Sequence, residues 1–79
     1  MFRGQGKALA MRTSARNNLK GRVVALEHGS VNCVVTIEVA DGVQIVSMIT
    51  RDSAERLGLA VGQEAYAVIK ASSVMVGVE

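Results

Sequence analysis

The stretch VNCVVTIEVADGVQIVSMIT, residues 31–50, carries the clearest secondary-structure signal in this chain. From Val31 to Val39 the odd-numbered positions are all apolar or cysteine, whereas the even-numbered positions include asparagine, threonine and glutamate. This period of two is typical of a β-strand with one buried face. Asp41-Gly42 then predicts a tight hairpin with a type I′ turn, which requires positive φ at both central residues. Val43–Thr50 is the predicted returning strand.

Weaker strand signals lie on both sides of this hairpin. Lys20–His28 precedes it as a largely apolar segment that ends at Gly29. Glu64–Lys70 and Val74–Val78 follow it, and both contain the β-branched residues that favour strands. The sequence therefore predicts three strands before residue 51 and two after residue 63.

A short helix is predicted between the third and fourth strands, in the segment RDSAERLGL at residues 51–59. Asp52 and Glu55 have the spacing of a capping box, and Thr50 is an alternative N-terminal cap. Gly58 fits the left-handed position that ends a helix, and Leu59 fits the apolar position that follows it. We therefore expect one helix of about two turns.

This order of elements is compatible with a mostly all-β fold, a small five-stranded barrel of OB type with one short helix between the third and fourth strands. A closed barrel also leaves no exposed strand edge. Several strands are apolar on both faces, as at Val34-Val35 and Ile45-Val46. Because only one face of a small barrel is internal, the other face is predicted to pack against another copy of the chain.

Composition also favours self-association. The chain has 79 residues, of which 49% are hydrophobic, with a mean hydropathy of +0.30, one cysteine and one histidine. It therefore forms neither an internal disulfide nor a structural zinc site, so oligomerisation is the expected source of extra stability. No apolar run approaches the ~20 residues of a membrane helix. The free Cys33 is consistent with a cytoplasmic location.

The positive charge of the chain is concentrated at its N-terminus. Arg3, Lys7 and Arg12 give residues 1–12 a charge of +3, whereas the remaining residues carry six basic and seven acidic side chains. We expect a flexible basic extension at 1–12 and one domain at 13–79. Phe2 and Tyr66 are the two aromatic residues. With no basic face and few aromatics, an OB-type nucleic-acid-binding module is a weak alternative.

Two short segments are rich in hydrogen-bond donors: TSARNN at 13–18 and KASS at 70–73. Together they contain two cations, Arg16 and Lys70, and four hydroxyl groups, but no aspartate or glutamate. A site without acceptor-only carboxylates suits a fully deprotonated tetrahedral oxyanion, because such an anion offers only acceptors. Segments of this composition are also common in turns and at solvated strand ends. Composition therefore leaves both interpretations open.

Four motifs in order resemble the Mop family of molybdate-binding domains. They are SARN-x-LKG at 14–21, GSVN at 29–32, SAERLGL-x-x-G at 53–62 and KASSVM-x-GV at 70–78. The resemblance covers about residues 12–79. It implies OB-like barrels that assemble as homohexamers, trimers of dimers, and bind molybdate or tungstate at subunit interfaces. Molybdenum storage, buffering or homeostasis in the cytoplasm is the function it implies.

The resemblance also implies which residues bind the anion, with no organic cofactor and no metal other than the oxyanion itself. One chain contributes the first three and another chain the last three of these residues: Ser14, Ala15, Arg16, Lys70, Ala71 and Ser72. A second oxyanion site is expected near the threefold axes, at Gly29, Ser30, Val31 and Asn32. His28, beside it, is expected to be an exposed turn residue or a contributor to this second site.

The same kind of module occurs in molybdate-responsive regulators and molybdate transporter ATPases, so a sensory role is the main alternative. An enzyme is not expected, because the sequence shows no carboxylate pair, catalytic triad, metal cluster or phosphate-binding loop. Cys33 lies on the apolar face of its strand, which predicts a buried structural thiol and not a nucleophile. No nucleic acid or membrane partner is expected.

Overall fold

The computed structural model describes residues 14–79; the predicted extension at 1–12 lies outside this range. The helices and strands, in chain order, are β1 Asn17–His28, β2 Asn32–Ala40, β3 Val43–Thr50, α1 Arg51–Leu57 and β4 Glu64–Ile69, followed by a 3-10 turn at Ala71–Ser73. The predicted order of three strands, a helix and a fourth strand is confirmed. β1 begins three residues earlier than predicted, because residues 17–19 pair with β4.

The strands form one antiparallel sheet in the order β3-β2-β1-β4. β1 has two partners: its first half pairs with β4 and its second half pairs with β2, and Arg22 belongs to both ladders. A register shift between Val23 and Ala25 interrupts the second ladder. Bulges of this kind bend a strand and increase its twist. The result is a curled sheet, a half-barrel, whose concave face holds the core.

The core is small and comes mainly from β1, β2 and β4. Val23, Val35, Ile37 and Ala67 form one buried cluster, around which Leu26, Val39, Ile45, Ile49, Leu59 and Ala65 pack partly buried. The predicted alternation in β2 is confirmed at Cys33, Val35 and Ile37, which are all buried. Val31 was wrongly assigned to this face, because it precedes β2 in the turn and is exposed.

The hairpin between β2 and β3 is confirmed, but its turn is not of type I′. Gly42 has a φ of +77°, whereas no residue other than glycine has positive φ among those described. Asp41 therefore lacks the left-handed conformation that a type I′ turn requires at both positions. A register shift between Glu38 and Ala40 accommodates the different turn.

The cap residues define both ends of α1. The Thr50 side chain accepts a hydrogen bond from the backbone N–H of Ser53 at 3.1 Å, so Thr50 is the N-cap and the Asp52 capping box is not formed. Gly58, with φ 64° and ψ 39°, ends the helix in the left-handed conformation. Leu59 then donates to the Ala54 carbonyl at 3.2 Å and packs against the core.

The predicted fifth strand and the closed barrel are wrong for the chain as described. Val74–Val78 forms no strand within residues 14–79: β4 ends at Ile69, and a 3-10 turn follows it at Ala71–Ser73. Met75, Val76 and Val78 are 94%, 90% and 92% exposed. The sheet therefore keeps two unpaired edges, β3 and β4, and an open apolar groove of about 320 Å³ on its concave side.

Candidate oxyanion site

The two donor-rich segments lie at the same end of the sheet. The ladder between β1 and β4 ends at the pair Asn17 and Ile69. Ser14–Arg16 immediately precedes the first of these residues, and Lys70–Ser72 immediately follows the second. Register alone therefore makes the two predicted halves of the site neighbours within one chain.

A side-chain hydrogen bond holds the first segment. The Asn18 amide Nδ2 donates to the Ala15 carbonyl oxygen at 3.2 Å. Ser14 and Arg16 are exposed, whereas Ala15 is half-buried. Asn18 was not among the predicted site residues, although its place inside the TSARNN segment marked it as a donor.

The second segment is a single turn of 3-10 helix. Ser73 N–H donates to the Lys70 carbonyl at 2.9 Å, and Val74 N–H donates to the Ala71 carbonyl at 3.2 Å. No side chain caps this turn, and all its residues are exposed. A turn of this kind leaves its first backbone N–H groups available. The segment thus offers Lys70, two serine hydroxyls and backbone donors at one surface.

Arg16 and Lys70 differ from the other cations in having no partner within residues 14–79. Lys20 pairs with Glu64, Arg51 with Glu55 and Arg56 with Asp52, while Arg22 donates to the Gly62 carbonyl. Neither of the two donor-rich segments contains a carboxylate. Two positive charges that no described residue compensates therefore lie at one end of the sheet, among hydroxyl and amide donors.

The nearest acid on β4 is already in use. Glu64 lies five residues before Ile69, about 17 Å away along an extended strand. Its carboxylate is 3.1 Å from the Lys20 ammonium. The hydrogen bond and charge of Glu64 raise the pKa of Lys20 above its usual value of 10.5. This pair leaves the electrostatics of the distant sheet end to Arg16 and Lys70.

The second predicted site, at Gly29–Asn32, is a closed turn at the other end of β1. Gly29 N–H donates to the Asn32 carbonyl at 2.8 Å. A Cβ atom at position 29 would lie 2.6 Å from that same oxygen, so the turn requires glycine. All four residues of the turn are exposed.

Arg51, a residue that the sequence analysis missed, ties this turn to α1. Its backbone N–H donates to the Val31 carbonyl at 2.8 Å, and its Nη1 donates to the Gly29 carbonyl at 3.4 Å. The pairing of β2 with β3 in the hairpin could have indicated this contact. Asn32 pairs with Thr50, so the residue after Thr50 necessarily lies beside the turn.

His28 and Cys33 form a pair next to the same turn. The Cys33 sulfur lies 3.5 Å from His28 Nδ1, and the thiol is fully buried while the histidine is exposed. The prediction that Cys33 is buried is confirmed. Within the part of the chain that the structure describes, no three His, Cys, Asp or Glu side chains cluster as metal ligands. No helix there is long and apolar enough to cross a membrane.

Comparison with known proteins agrees with this fold. The TOBE domain, as a family model, matches residues 13–76, and the chain belongs to that family. Among relatives, a probable molybdenum-pterin-binding protein of Haemophilus influenzae is 54% identical over 69 residues, which are 87% of this chain and 100% of that protein. The resemblance to the Mop family is thereby confirmed.

Solved structures support the same assignment. MopII from Clostridium pasteurianum, in an apo form, is 46% identical with a TM-score of 0.80, covering 85% of this chain and 100% of that chain. The cytoplasmic molybdate-binding protein ModG, solved with molybdate bound, is 46% identical with a TM-score of 0.83. That similarity covers 91% of this chain and 51% of ModG.

Proposed function

We propose that this chain binds molybdate or tungstate at subunit interfaces of a homo-oligomer, for storage, buffering or homeostasis of molybdenum in the cytoplasm. We also propose that the chain is not an enzyme and needs no organic cofactor. The names of its relatives support the ligand: one is a molybdenum-pterin-binding protein and another is a molybdate-binding protein solved with molybdate.

The observation that carries the proposal is the pair of cations at one sheet end that have no partner within residues 14–79. Arg16 and Lys70 are brought together by the register of β1 and β4. They lie among serine hydroxyls and backbone N–H groups, with no carboxylate in either segment. A dianion supplies the missing negative charge, and each of its oxygens accepts hydrogen bonds from these donors.

The lack of carboxylates in the two segments also supports selectivity among anions. Near neutral pH, phosphate retains a proton that requires an acceptor, whereas molybdate, tungstate and sulfate are fully deprotonated. A buried or bound donor without a partner costs about 1–3 kcal/mol. The site should therefore discriminate against phosphate, and the larger tetrahedral oxyanions are the proposed ligands.

Two surfaces support assembly of several chains. The apolar segment Val74–Val78 is exposed, while the sheet has open edges at β3 and β4 and an apolar groove between them. The convex face carries exposed Val46 and Met48 as well. If further copies cover these surfaces, apolar area is removed from water, and this favours association. We propose that a hexamer, a trimer of dimers, covers both.

A two-fold contact at the donor-rich sheet end accounts for sites between chains. Each chain presents Ser14–Arg16 and Lys70–Ser72 side by side there. In a two-fold dimer the same patch meets itself, so the first segment of each chain faces the second segment of its partner. Such a dimer contains two equivalent anion sites.

Calorimetric titration of the purified oligomer tests the ligand. We expect tight molybdate and tungstate binding, weaker sulfate binding and no response to phosphate. The double variant Arg16→Ala, Lys70→Ala should lose most of this binding while remaining assembled. The control is Lys20→Ala, Arg56→Ala, which removes the same charge from cations paired elsewhere. Equal affinities of the two double variants would contradict the site.

A mixing experiment tests whether each site spans two chains. Single variants Arg16→Ala and Lys70→Ala are unfolded together and refolded as mixed oligomers. If one site uses both chains, a mixed dimer contains one intact site, and random mixing restores about a quarter of the native sites. If both segments come from the same chain, every site carries one defect and none is restored.

A sensory or regulatory domain of a longer transporter or regulator is the second candidate function. The similarity to ModG, of which this chain covers about half, shows that the same fold occurs within a longer protein. A sensor must present a different surface when the anion binds, whereas a storage protein need not. Hydrogen exchange separates them: protection limited to residues 14–18 and 70–73 favours storage, and protection on the convex face favours sensing.

A further inference from the structure

The turn between β2 and β3 contains the only Asp-Gly pair of the sequence, Asp41-Gly42. Both residues are exposed. Gly42 has a φ of +77°, and a Cβ atom there would meet no other atom within 4 Å. The space beside the Gly42 backbone is therefore open, and the Asp41 side chain can turn towards the Gly42 nitrogen.

A carboxylate lies beside this nitrogen. The Gly42 backbone N–H donates to Glu38 Oε2 at 3.4 Å, which is long for a hydrogen bond. Glu38 stands in β2 just before the register shift that leads into the turn. It forms no ion pair among the described residues. Its carboxylate is therefore available to accept the amide proton of Gly42.

This arrangement suits the ring closure through which aspartate isomerises. The Gly42 nitrogen attacks the side-chain carboxyl carbon of Asp41, so that a C–N bond forms and a C–O bond breaks. The amide proton passes to a base and leaves with the departing hydroxyl as water. Solvent water then opens the succinimide ring, and opening at the main-chain carbonyl gives isoaspartate. One water is released and one is consumed, so the mass is unchanged.

We propose that Asp41-Gly42 is a site of spontaneous isoaspartate formation, with Glu38 as the proton acceptor that promotes it. The inference goes beyond the proposed function, because none of the proposed anion-binding residues lies in this turn. Isoaspartate places the Cβ atom of residue 41 in the main chain, so the turn becomes one backbone atom longer. The pairing of Ala40 with Val43, which closes the hairpin, must then shift.

The other aspartate of the chain, Asp52 in α1, is an internal control. The next residue, Ser53, uses its backbone N–H to donate to Thr50 Oγ1 at 3.1 Å. The Asp52 carboxylate accepts from Arg56 Nε at 3.1 Å. Both groups that would have to react are therefore engaged, and the helix fixes the backbone between them. Position 52 should isomerise much more slowly than position 41.

Ageing of the purified protein in neutral buffer at physiological temperature tests the site. Isoaspartate is detected with an isoaspartate-specific carboxyl methyltransferase and labelled S-adenosylmethionine, and it is located by mass spectrometry of peptides. We expect it to form at position 41 at least about tenfold faster than at position 52. Asp41→Glu should remove the signal at 41, because the longer side chain closes a ring less readily. No isoaspartate at 41, or equal rates at 41 and 52, would overturn the proposal.

The role of Glu38 is tested separately. Glu38→Gln keeps the size of the side chain and a hydrogen-bond acceptor but removes the basic carboxylate. It should slow isomerisation at 41 about three- to tenfold, with the unfolding midpoint unchanged. Glu64→Gln, which removes a carboxylate paired with Lys20, is the control and should leave the rate unchanged. Equal rates in the wild type and in Glu38→Gln would overturn the assignment of Glu38.

The outcome does not depend on anion binding. Isoaspartate is measured without molybdate, so a wild type that binds no molybdate but isomerises at 41 would contradict the proposed function alone. A wild type that binds molybdate but forms no isoaspartate at 41 would overturn this inference alone.

Discussion

The two ends of β1 carry the same kinds of donor in different electrostatic states. At the Asn17 end, Arg16 and Lys70 have no partner within the described chain. At the His28 end, Arg51 is paired with Glu55 and His28 lies against Cys33. The first end therefore holds positive charge with no partner among the described residues, whereas the positive charge of Arg51 at the second end is already paired with a carboxylate. We infer that the first end is the stronger site.

The largest change in molybdate affinity is expected when a charge is reversed at the stronger end. Lys70→Glu replaces an attraction with a repulsion, so molybdate affinity at the first site should fall about a thousandfold. Ser30→Glu introduces a negative charge at the other end, and it should abolish the second binding step, the one proposed for the Gly29–Asn32 turn, while sparing the first. Calorimetric titration measures both steps. A similar loss at both sites from either variant would show that the ends are not independent.

Gly29→Ala should disrupt the weaker end through packing. The added methyl group would lie 2.6 Å from the Asn32 carbonyl oxygen, so the turn must open. We expect a loss of about 1–3 kcal/mol in the free energy of unfolding and loss of the second binding step. Denaturant unfolding checks the first expectation and titration the second. A free energy of unfolding for Gly29→Ala within about 0.5 kcal/mol of the wild type would contradict a closed turn that requires glycine.

Asn18→Ala should have a smaller effect, which is limited to molybdate affinity at the first site. It removes the hydrogen bond to the Ala15 carbonyl, which is exposed and contributes about 0.5–1 kcal/mol. Affinity at the first site should fall about three-fold, with the second step unchanged. Gln44→Ala, on exposed β3, is the control. An unchanged first step would mean that the segment keeps its conformation without Asn18.

The smallest effect is expected at Lys20, whose pair with Glu64 is exposed. Because folding raises the pKa of Lys20, its stabilisation is present at neutral pH and is lost only as alkaline pH rises through that pKa. Lys20→Ala should leave both binding steps unchanged and lower the unfolding midpoint at pH 7 only slightly, because an exposed pair contributes little stability. A marked change in the first binding step would mean that the charge of Lys20 influences the first site along the length of β1.

Much of the fold could be read from local pattern. The period of two in β2, the cap at Thr50 and the glycine at 58 each describe a local preference, and all three are confirmed. The segment Val74–Val78 has the same apolar pattern, yet it forms no strand in this chain. An apolar pattern predicts that a segment is covered but does not say which chain covers it.

The candidate site shows the same limit. Residue types alone suggested an anion, and the four motifs indicated the family. Only the register of β1 against β4 makes Arg16 and Lys70 neighbours, because 53 other residues separate them in sequence. Arg51 was missed for a related reason. Its role depends on a contact between a helix and a turn that lie far apart in the chain.

The exposed C-terminal segment has a further consequence in the proposed assembly. If another copy covers Val74–Val78, association between subunits contributes part of the free energy that stabilises each folded chain. The midpoint of thermal unfolding then rises with protein concentration. A subunit without partners exposes this apolar C-terminal segment to solvent. Because chaperones and proteases act on incompletely folded chains, we expect subunits made in excess of assembly to be turned over faster than assembled ones.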